Sequence, residues 1–188
     1  MELLVSGFTA FGPHEKNPTE WLAEQSGCAY QILPVDYQGV DEWLEERIPE
    51  QYGAWLMMGV HGSAEKFHLE TVGRNVIGGH PDNSGFVAGP GPIDASGPHQ
   101  LASSIWSGFG LVTDSDRRHL TTDAGSYLCN YLLYRGLQNF PHLPIGFLHV
   151  PTFAVMPAEV QLAELRALID ELIGVHSLIE SDARQAKS

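Results

Sequence analysis

The chain has 188 residues, of which 43% are hydrophobic, 10% aromatic and 18% charged, and this composition is typical of a globular protein. Its length fits one domain over residues 1–188, because single domains commonly run to about 100–200 residues. The formal net charge of −13 would repel nucleic-acid phosphates, and no clustered Lys/Arg stripe opposes that field locally. We therefore expect one domain that does not bind nucleic acid.

Membrane insertion and disulfide bonding are also disfavoured. No apolar run approaches the roughly 20 residues that cross a bilayer, and the N-terminus MELLVSGF lacks the apolar stretch and cleavage site of a signal peptide. Only two cysteines are present, Cys28 and Cys129, which suits a reducing compartment where free thiols survive. Any cysteine chemistry is therefore predicted to depend on a single thiol.

The first half of the chain alternates predicted strands and helices. The first strand is Glu2–Ser6, which Gly7 stops, so that Phe8 and Phe11 fall in the following loop. Asn17-Pro18 is typical of a helix start. The other predicted elements of this half are strands at Tyr30–Pro34, Ala54–Val60 and Leu69–Val76, a helix through Val40, Trp43 and Leu44, and a long Gly/Pro-rich loop at Gly78–Pro98.

The second half continues this pattern and ends in an amphipathic helix. Its predicted elements are a helix around His99–Trp106, a strand at Leu111–Thr113, a helix at Tyr127–Leu137, a buried strand at Ile145–Val150, and a helix from Pro157 with Leu165, Leu168, Ile169, Leu172 and Ile173 on one face. The polar tail after Glu180 is predicted to be frayed. The alternation favours an α/β fold with a mostly parallel sheet, which gathers functional side chains at the carboxyl ends of its strands.

Two residues are the first candidates for chemistry. Cys129 is predicted at the start of a helix, where unpaired backbone N–H groups and the helix dipole favour a thiolate and could stabilise an oxyanion. His149 ends an apolar strand, where a neutral imidazole within reach of a thiol would act as general base. Taken alone, however, Cys129 fits a small buried hydrophobe better than a nucleophile, and His149 fits a structural hydrogen-bonding residue better than a base. Cys28, which follows Gly27, has no comparable setting.

Other candidates carry weaker signals. Glu70 could orient the imidazole, although an isolated Glu usually lies on a solvated face. Phe8 and Phe11 fit either an apolar pocket or the core. The spacing of the histidines, including His61 and His80, matches no metal-ligand motif, and the Gly-rich stretches lack both nucleotide-binding fingerprints.

Several segments, in order and with similar separations, resemble those of the type I pyroglutamyl peptidases, also called pyrrolidone-carboxylate peptidases. The segments are GFTAFGPHEKNPTEW, ETVGRN followed by PDNSG, DAGSYLCNYLLYRGL and GFLHVP. The similarity spans residue 1 to about residue 151, while the last helix matches only in kind. A Cys-Asn after a small-residue and aromatic turn, combined with a strand ending in His-Val-Pro, is far more specific than either piece alone.

The resemblance implies a cysteine peptidase that removes an N-terminal pyroglutamyl residue from peptides. Carried over by position, the nucleophile falls on Cys129, the base on His149 and the orienting carboxylate on Glu70. The resemblance also implies a three-layer α/β/α sandwich, no cofactor or metal, a cytoplasmic location and a homo-oligomer, either a dimer or a tetramer. The positions that match the walls of the family's lactam pocket are Phe8, Phe11, Val35, Tyr127 and Leu128, with Asn17 beside them.

The sequence departs from the family pattern at two places. Val60 stands where many bacterial relatives have Gln, and Gly79-His80 where they have Arg-Ile before Pro-Asp-Asn. The first change removes a polar contact at the pocket, and the second removes a guanidinium near the scissile carbonyl. Two alternatives therefore stay open: a pyroglutamyl-binding protein without turnover, and a related cysteine amidase acting on another small cyclic or acyl substrate.

Overall fold

The computed structural model describes residues 2–11, 16–108 and 115–185. Within these ranges a short 3-10 helix lies at Ile48–Gln51. The other elements, in chain order, are β1 (Leu3–Phe8), α1 (Pro18–Gln25), β2 (Ala29–Leu33), α2 (Tyr37–Glu45), β3 (Ala54–Val60), β4 (Phe67–Glu70), β5 (Val72–Arg74), β6 (Gln100–Ala102), α3 (Ser104–Gly108), β7 (Arg118–Thr121), α4 (Leu128–Asn139), β8 (Ile145–Val150) and α5 (Ala158–Gln185).

A six-stranded sheet forms the centre of the molecule, with the strand order β2-β1-β3-β8-β4-β7. Neighbouring strands run parallel except for β4 and β8, which are antiparallel. Strands β5 and β6 form a separate antiparallel pair. The mostly parallel sheet that the sequence predicts is therefore confirmed.

Helices cover both faces of this sheet. On one face α1, α3 and α5 contribute buried residues such as Leu22, Trp106 and Leu168 to one apolar core. On the other face α2 and α4 contribute Trp43 and Leu132 to a second core. Burial of such side chains stabilises each layer by roughly 1.5–3 kcal/mol per large apolar residue. The presence of helices on both faces of the sheet confirms the predicted three-layer α/β/α arrangement.

The strands that carry the most continuous apolar runs match their predictions. Both Ala54–Val60 and Ile145–Val150 have the predicted bounds, and every residue of the second is buried. The helix start at Asn17-Pro18 is also confirmed, because the Asn17 side chain caps α1 by accepting a 3.0 Å hydrogen bond from the Thr19 N–H. The segment Gly78–Pro98 contains isolated bridges but no helix or strand of its own.

The predicted end of the first strand is wrong. Strand β1 continues through Gly7 to Phe8, so Phe8 belongs to the sheet and not to the loop. Gly7 does not end the strand but lies within it, at the point where the backbone of α1 packs closely against the strand. A Cβ on Gly7 would lie 2.3 Å from the carbonyl oxygen of Thr19, so the glycine permits a close approach between strand and helix.

The prediction of one strand over Leu69–Val76 is also wrong. Strand β4 ends at Glu70 in the central sheet, whereas Val72–Arg74 pairs with β6 in the small sheet. The first half of the helix predicted around His99–Trp106 is wrong for the same reason. Gln100–Ala102 is the partner strand, and α3 begins only at Ser104. Both errors arise because the partner strand is distant in sequence.

Three differences concern the second half of the chain. The strand predicted at Leu111–Thr113 lies outside the described residues, and the observed edge strand Arg118–Thr121 was not predicted, because its sequence RHLT is short and polar. Helix α5 continues to Gln185, beyond the residue at which fraying was predicted to begin, and the rest of that tail lies outside the described residues. Among the described helices, none combines the length and apolarity needed to cross a membrane.

Candidate active site

Cys129 is the second residue of α4, and Tyr127 is the N-cap. The first N–H groups of an α-helix have no intrahelical partner and lie at the positive end of the helix dipole. Cys129 is a half-buried residue that lines a pocket, and neither its thiol nor that of Cys28 forms a disulfide. The helix start therefore presents an accessible sulfur beside backbone donors.

His149 lies one residue before the end of β8, and 3% of its surface is exposed. Its Nδ1 is 2.7 Å from Oε1 of Glu70, which is fully buried at the end of β4. Thr121 on β7 donates a 3.0 Å hydrogen bond to the other oxygen of that carboxylate. Glu70 is thus held on both oxygens, and Nε2 of His149 is left for the thiol.

The surroundings of His149 favour its charged form. Burial alone lowers the pKa of this imidazole, but the Cys129 side chain and the Glu70 carboxylate outweigh burial and raise the pKa to about 9. An imidazolium beside a sulfur favours the thiolate, which is the nucleophilic form of cysteine. The cluster therefore favours an imidazolium at His149 beside the Cys129 sulfur.

Gly59 on β3 makes room for the sulfur. A Cβ at this position would lie 2.7 Å from the Cys129 Sγ and 2.8 Å from a ring carbon of Phe147. Gly59 is also the parallel-strand partner of His149. Gly59 was not predicted as a site residue from the sequence, although a glycine near the end of an apolar strand is a signal of close approach.

A small, mainly apolar pocket opens beside the thiol. Its lining comprises Phe8, Phe11, Asn17, Val35, Gly59, Val60, Tyr127, Leu128 and Cys129. The structure thus brings all seven residues that were predicted to bind substrate to one pocket, together with the candidate nucleophile.

The pocket residues differ in what they can offer a ligand. Phe8 is 4% exposed and forms part of the core, whereas Phe11 is 40% exposed at the mouth. The Asn17 side chain donates to the Thr9 carbonyl at 3.0 Å and accepts from the N–H and hydroxyl of Thr19, so its polar groups are already bonded. Val60 contributes only apolar surface. Shape and apolar contact therefore dominate this pocket.

Asn130 fixes the start of α4 and was not identified from the sequence. Its side chain is fully buried, donates to the carbonyls of Arg74 and Val76 at 2.8 and 2.9 Å, and accepts from the Arg74 N–H at 2.9 Å. These bonds tie the residue after Cys129 to β5 and its extension. Its position next to Cys129 could have identified it, because buried side-chain amides commonly form hydrogen bonds with backbone groups.

The histidines do not assemble a metal centre within the described part of the chain, where no group of three or more His, Cys, Asp or Glu side chains has suitable geometry. His61 and His68 have ring centroids 5.4 Å apart. His80 lies instead beside Tyr127, at 6.1 Å. Cys28 packs against the core on the face of α1 and α5, whereas Cys129 belongs to the opposite core.

The fold and this cluster define a class of protein. An α/β sandwich that places a thiol at a helix start against an imidazole and a buried carboxylate at the ends of neighbouring strands, beside a small apolar pocket, has the parts of a cysteine hydrolase.

Comparison with known proteins identifies the family within that class. The chain matches the pyroglutamyl peptidase family over residues 1–167. It is 30% identical to pyroglutamyl-peptidase 1 of Rattus norvegicus, with 96% of this chain and 93% of that protein covered. It is 26% identical to a pyrrolidone-carboxylate peptidase of Levilactobacillus brevis, with coverage of 96% and 97%. The crystal structure of pyrrolidone carboxyl peptidase from Thermus thermophilus superposes with a TM-score of 0.71 at 31% identity and covers 87% of this chain and 96% of that one. The chain belongs to the pyroglutamyl peptidase family.

Proposed function

We propose that this chain hydrolyses the amide bond that follows an N-terminal pyroglutamyl residue of a peptide. Cys129 is the nucleophile, His149 the general acid and base, and Glu70 the carboxylate that orients His149. One observation carries this proposal: the thiol of Cys129 lies at the wall of the apolar pocket and beside His149, whose ring is bonded at 2.7 Å to a fully buried carboxylate. Membership of the family supports the same reaction.

In the first half of the reaction the Cys129 thiolate attacks the carbonyl carbon of the pyroglutamyl residue. Backbone N–H groups at the start of α4 stabilise the oxyanion that forms. The His149 imidazolium then donates its proton to the departing amine, and a thioester to Cys129 remains. Glu70 keeps the ring in the orientation that this transfer requires.

In the second half a water molecule attacks the thioester. Neutral His149 accepts the water proton, the second tetrahedral adduct collapses, and pyroglutamate leaves with regeneration of the thiolate–imidazolium pair. The charges balance because one proton moves from imidazolium to amine and one returns from water.

The pocket suits a lactam and disfavours a free N-terminus. A pyroglutamyl ring is small, flat and uncharged, so the apolar walls formed by Phe8, Val35 and Leu128 can bury it. An N-terminal glutamate would bring an ammonium and a carboxylate whose desolvation this lining does not offset. We therefore expect selectivity for the closed ring.

The proposal extends to the setting of the enzyme. We propose that residues 1–188 act as one domain, in the cytoplasm, and as a homo-oligomer. Two free thiols suit a reducing compartment, and the family resemblance supports the oligomer.

The test is hydrolysis of a pyroglutamyl chromogenic amide by wild type, Cys129→Ala, Cys129→Ser and the matched control Cys28→Ser. We expect both Cys129 variants to lose at least roughly a thousandfold in kcat/KM, with an unchanged circular-dichroism spectrum, and the control to retain activity. Activity that survives in Cys129→Ala would contradict the covalent mechanism. Faster cleavage of prolyl or acetyl amides than of pyroglutamyl amide by the wild type would indicate a different cysteine amidase.

A further inference from the structure

Three histidines form a row across one face of the sheet. His119 on β7 is the register partner of His68 on β4, and His68 is the register partner of His149 on β8. Because register partners point to the same face, the three side chains share one side of the sheet. The ring centroids of His68 and His119 are 5.7 Å apart.

His61, in the loop after β3, joins this row from the adjacent strand end. Its ring centroid lies 5.3 Å from that of His149 and 5.4 Å from that of His68. Its Nδ1 is 3.3 Å from the Ser63 hydroxyl. We call His61, His68 and His119 the imidazole patch; none of the three takes part in the reaction proposed above.

The strand order places this patch on the side of His149 opposite the lactam pocket. The pocket is lined from β1 and β3 by Phe8, Gly59 and Val60, and β8 follows β3 in the sheet, with β4 and β7 beyond it. A substrate whose ring fills the pocket has its scissile bond at Cys129 and His149. The residue after pyroglutamate then continues over β4 and β7, where the imidazole patch lies.

The patch offers hydrogen-bond donors that respond to a negative charge. His61 and His68 are half-buried and His119 is exposed. Burial, followed by repulsion from the His149 imidazole, lowers the pKa of His61, while Glu70 and Asp123 oppose that change. Burial also lowers the pKa of His68. Glu70 opposes this change, whereas repulsion from the imidazoles of His61, His149 and His119 lowers the pKa further.

The nearby carboxylates are already engaged, and this leaves His61 and His68 available to an incoming anion. Glu70 is bonded to His149 and Thr121, and Asp123 forms an ion pair with Arg74. An additional carboxylate would favour protonation of His61 and His68 and would form charge-assisted hydrogen bonds with them. On a chain with a formal net charge of −13, an acidic group would otherwise be repelled.

We propose that the imidazole patch is the binding site for the residue that follows pyroglutamate, and that it favours a leaving residue bearing a carboxylate. This inference rests on the proposed function and adds the substrate class to it. The carboxylate can belong to an acidic side chain or to the C-terminus of a dipeptide, since the two present the same chemistry to the imidazoles.

The experiment compares pyroglutamyl-glutamate amide with its uncharged isostere pyroglutamyl-glutamine amide. We expect the ratio of their kcat/KM values in wild type to rise about tenfold in favour of the glutamate peptide as the pH falls from about 7.5 to about 6, because protonated imidazoles bind the carboxylate more strongly. The ratio removes the common effect of pH on Cys129 and His149. Pyroglutamyl-glutamine with a free C-terminus, measured against its amide, tests the second source of the carboxylate.

The variants are His61→Gln and His68→Gln, each of which keeps a polar side chain, with His142→Gln in the exposed loop after α4 as the control. We expect the pH-dependent preference to disappear in the first two variants and to persist in the third. The inference would be overturned by a ratio that does not change with pH for either carboxylate source, or by a pH dependence that is unchanged in both patch variants. In either case, cleavage of the glutamine amide would still support the proposed function. Absence of cleavage of every pyroglutamyl peptide would instead remove the proposed function, and this inference with it.

Discussion

At the scale of single residues, the site depends on the buried contact between His149 and Glu70. The pKa of His149 is raised from 6.5 to about 9 in the folded protein, against the effect of burial, by Cys129 and Glu70. A group whose pKa is raised on folding stabilises the folded state fully below its unfolded pKa. The contribution of this imidazolium is therefore present below about pH 6.5 and is lost as the pH rises to about 9.

The same pKa predicts how Glu70→Gln changes the pH profile of the reaction. Removal of the carboxylate lowers the pKa of His149, so the fall in kcat/KM at alkaline pH should begin at a lower pH than in wild type. The measurement is kcat/KM against pH with a pyroglutamyl amide, and Glu65→Gln in an exposed loop is the control. An alkaline limb at the wild-type position would show that Glu70 does not set the charge state of His149.

Phe11 allows a test of the pocket wall. Because its side chain is 40% exposed at the mouth of the pocket, Phe11→Ala should remove only part of the apolar contact and cost about 1 kcal/mol of transition-state stabilisation, or roughly fivefold in kcat/KM. Selectivity between pyroglutamyl and prolyl amides should change little, since a phenyl ring distinguishes their polar groups poorly. A large loss of that selectivity would indicate that Phe11 orients the lactam carbonyl.

At the scale of elements, the ends of three strands and the start of one helix must meet within a few ångströms. Strand β3 contributes Gly59, β8 contributes His149 and β4 contributes Glu70, while α4 brings Cys129 against them. The absence of a side chain at Gly59 permits this meeting, because the sulfur occupies the space where a Cβ would lie.

Gly59→Ala should therefore impair both turnover and stability. The added methyl would lie 2.7 Å from Sγ and 2.8 Å from Phe147, so α4 or the Phe147 ring must shift, at about 1–3 kcal/mol of unfolding free energy. Gly62→Ala is the matched control, since a Cβ there meets nothing within 4 Å. Denaturant unfolding and kcat are the measurements, and equal behaviour of the two variants would contradict the packing described at the sulfur.

At the scale of the whole molecule, one arginine connects the sheet edge to the last helix. Arg118 on β7 is 8% exposed and binds Glu164 and Glu171 of α5, the latter at 2.7 and 2.9 Å. Strand β7 also carries Thr121, which donates to Glu70. The packing of α5 against the sheet is thus linked through β7 to the carboxylate of the site.

Arg118→Gln should destabilise the fold by about 3 kcal/mol, because it leaves the largely buried carboxylate of Glu164 without its charged partner. Arg117→Gln, at an exposed neighbouring position, should change the free energy of unfolding by less than about 0.5 kcal/mol. Urea unfolding of both variants provides the comparison. Equal stability of the two variants would show that the buried ion pair contributes no net stability.

Elements whose own side chains are buried could be predicted from local sequence. Ala54–Val60 and Ile145–Val150 are continuous apolar runs, which form central strands in any parallel sheet covered on both faces, and Asn17-Pro18 sets a helix start through local hydrogen bonding. The resemblance of the motifs around Cys129 and His149 identified the family and the residues of the pocket.

Features that depend on partners far apart in the chain could be seen only in the folded protein. Strand pairing across 26 or more residues ended β4 at Glu70 and made strands of Val72–Arg74 and Gln100–Ala102, against the local pattern. The local pattern makes Glu70 an ordinary polar residue that only the family resemblance singled out, and 79 positions separate it from the histidine that it binds. Likewise His68 and His119 become neighbours of His149 only through sheet register. Local propensity depends on adjacent residues, whereas register, burial and proximity are set when the whole sheet packs, because those energies arise from contacts between distant segments.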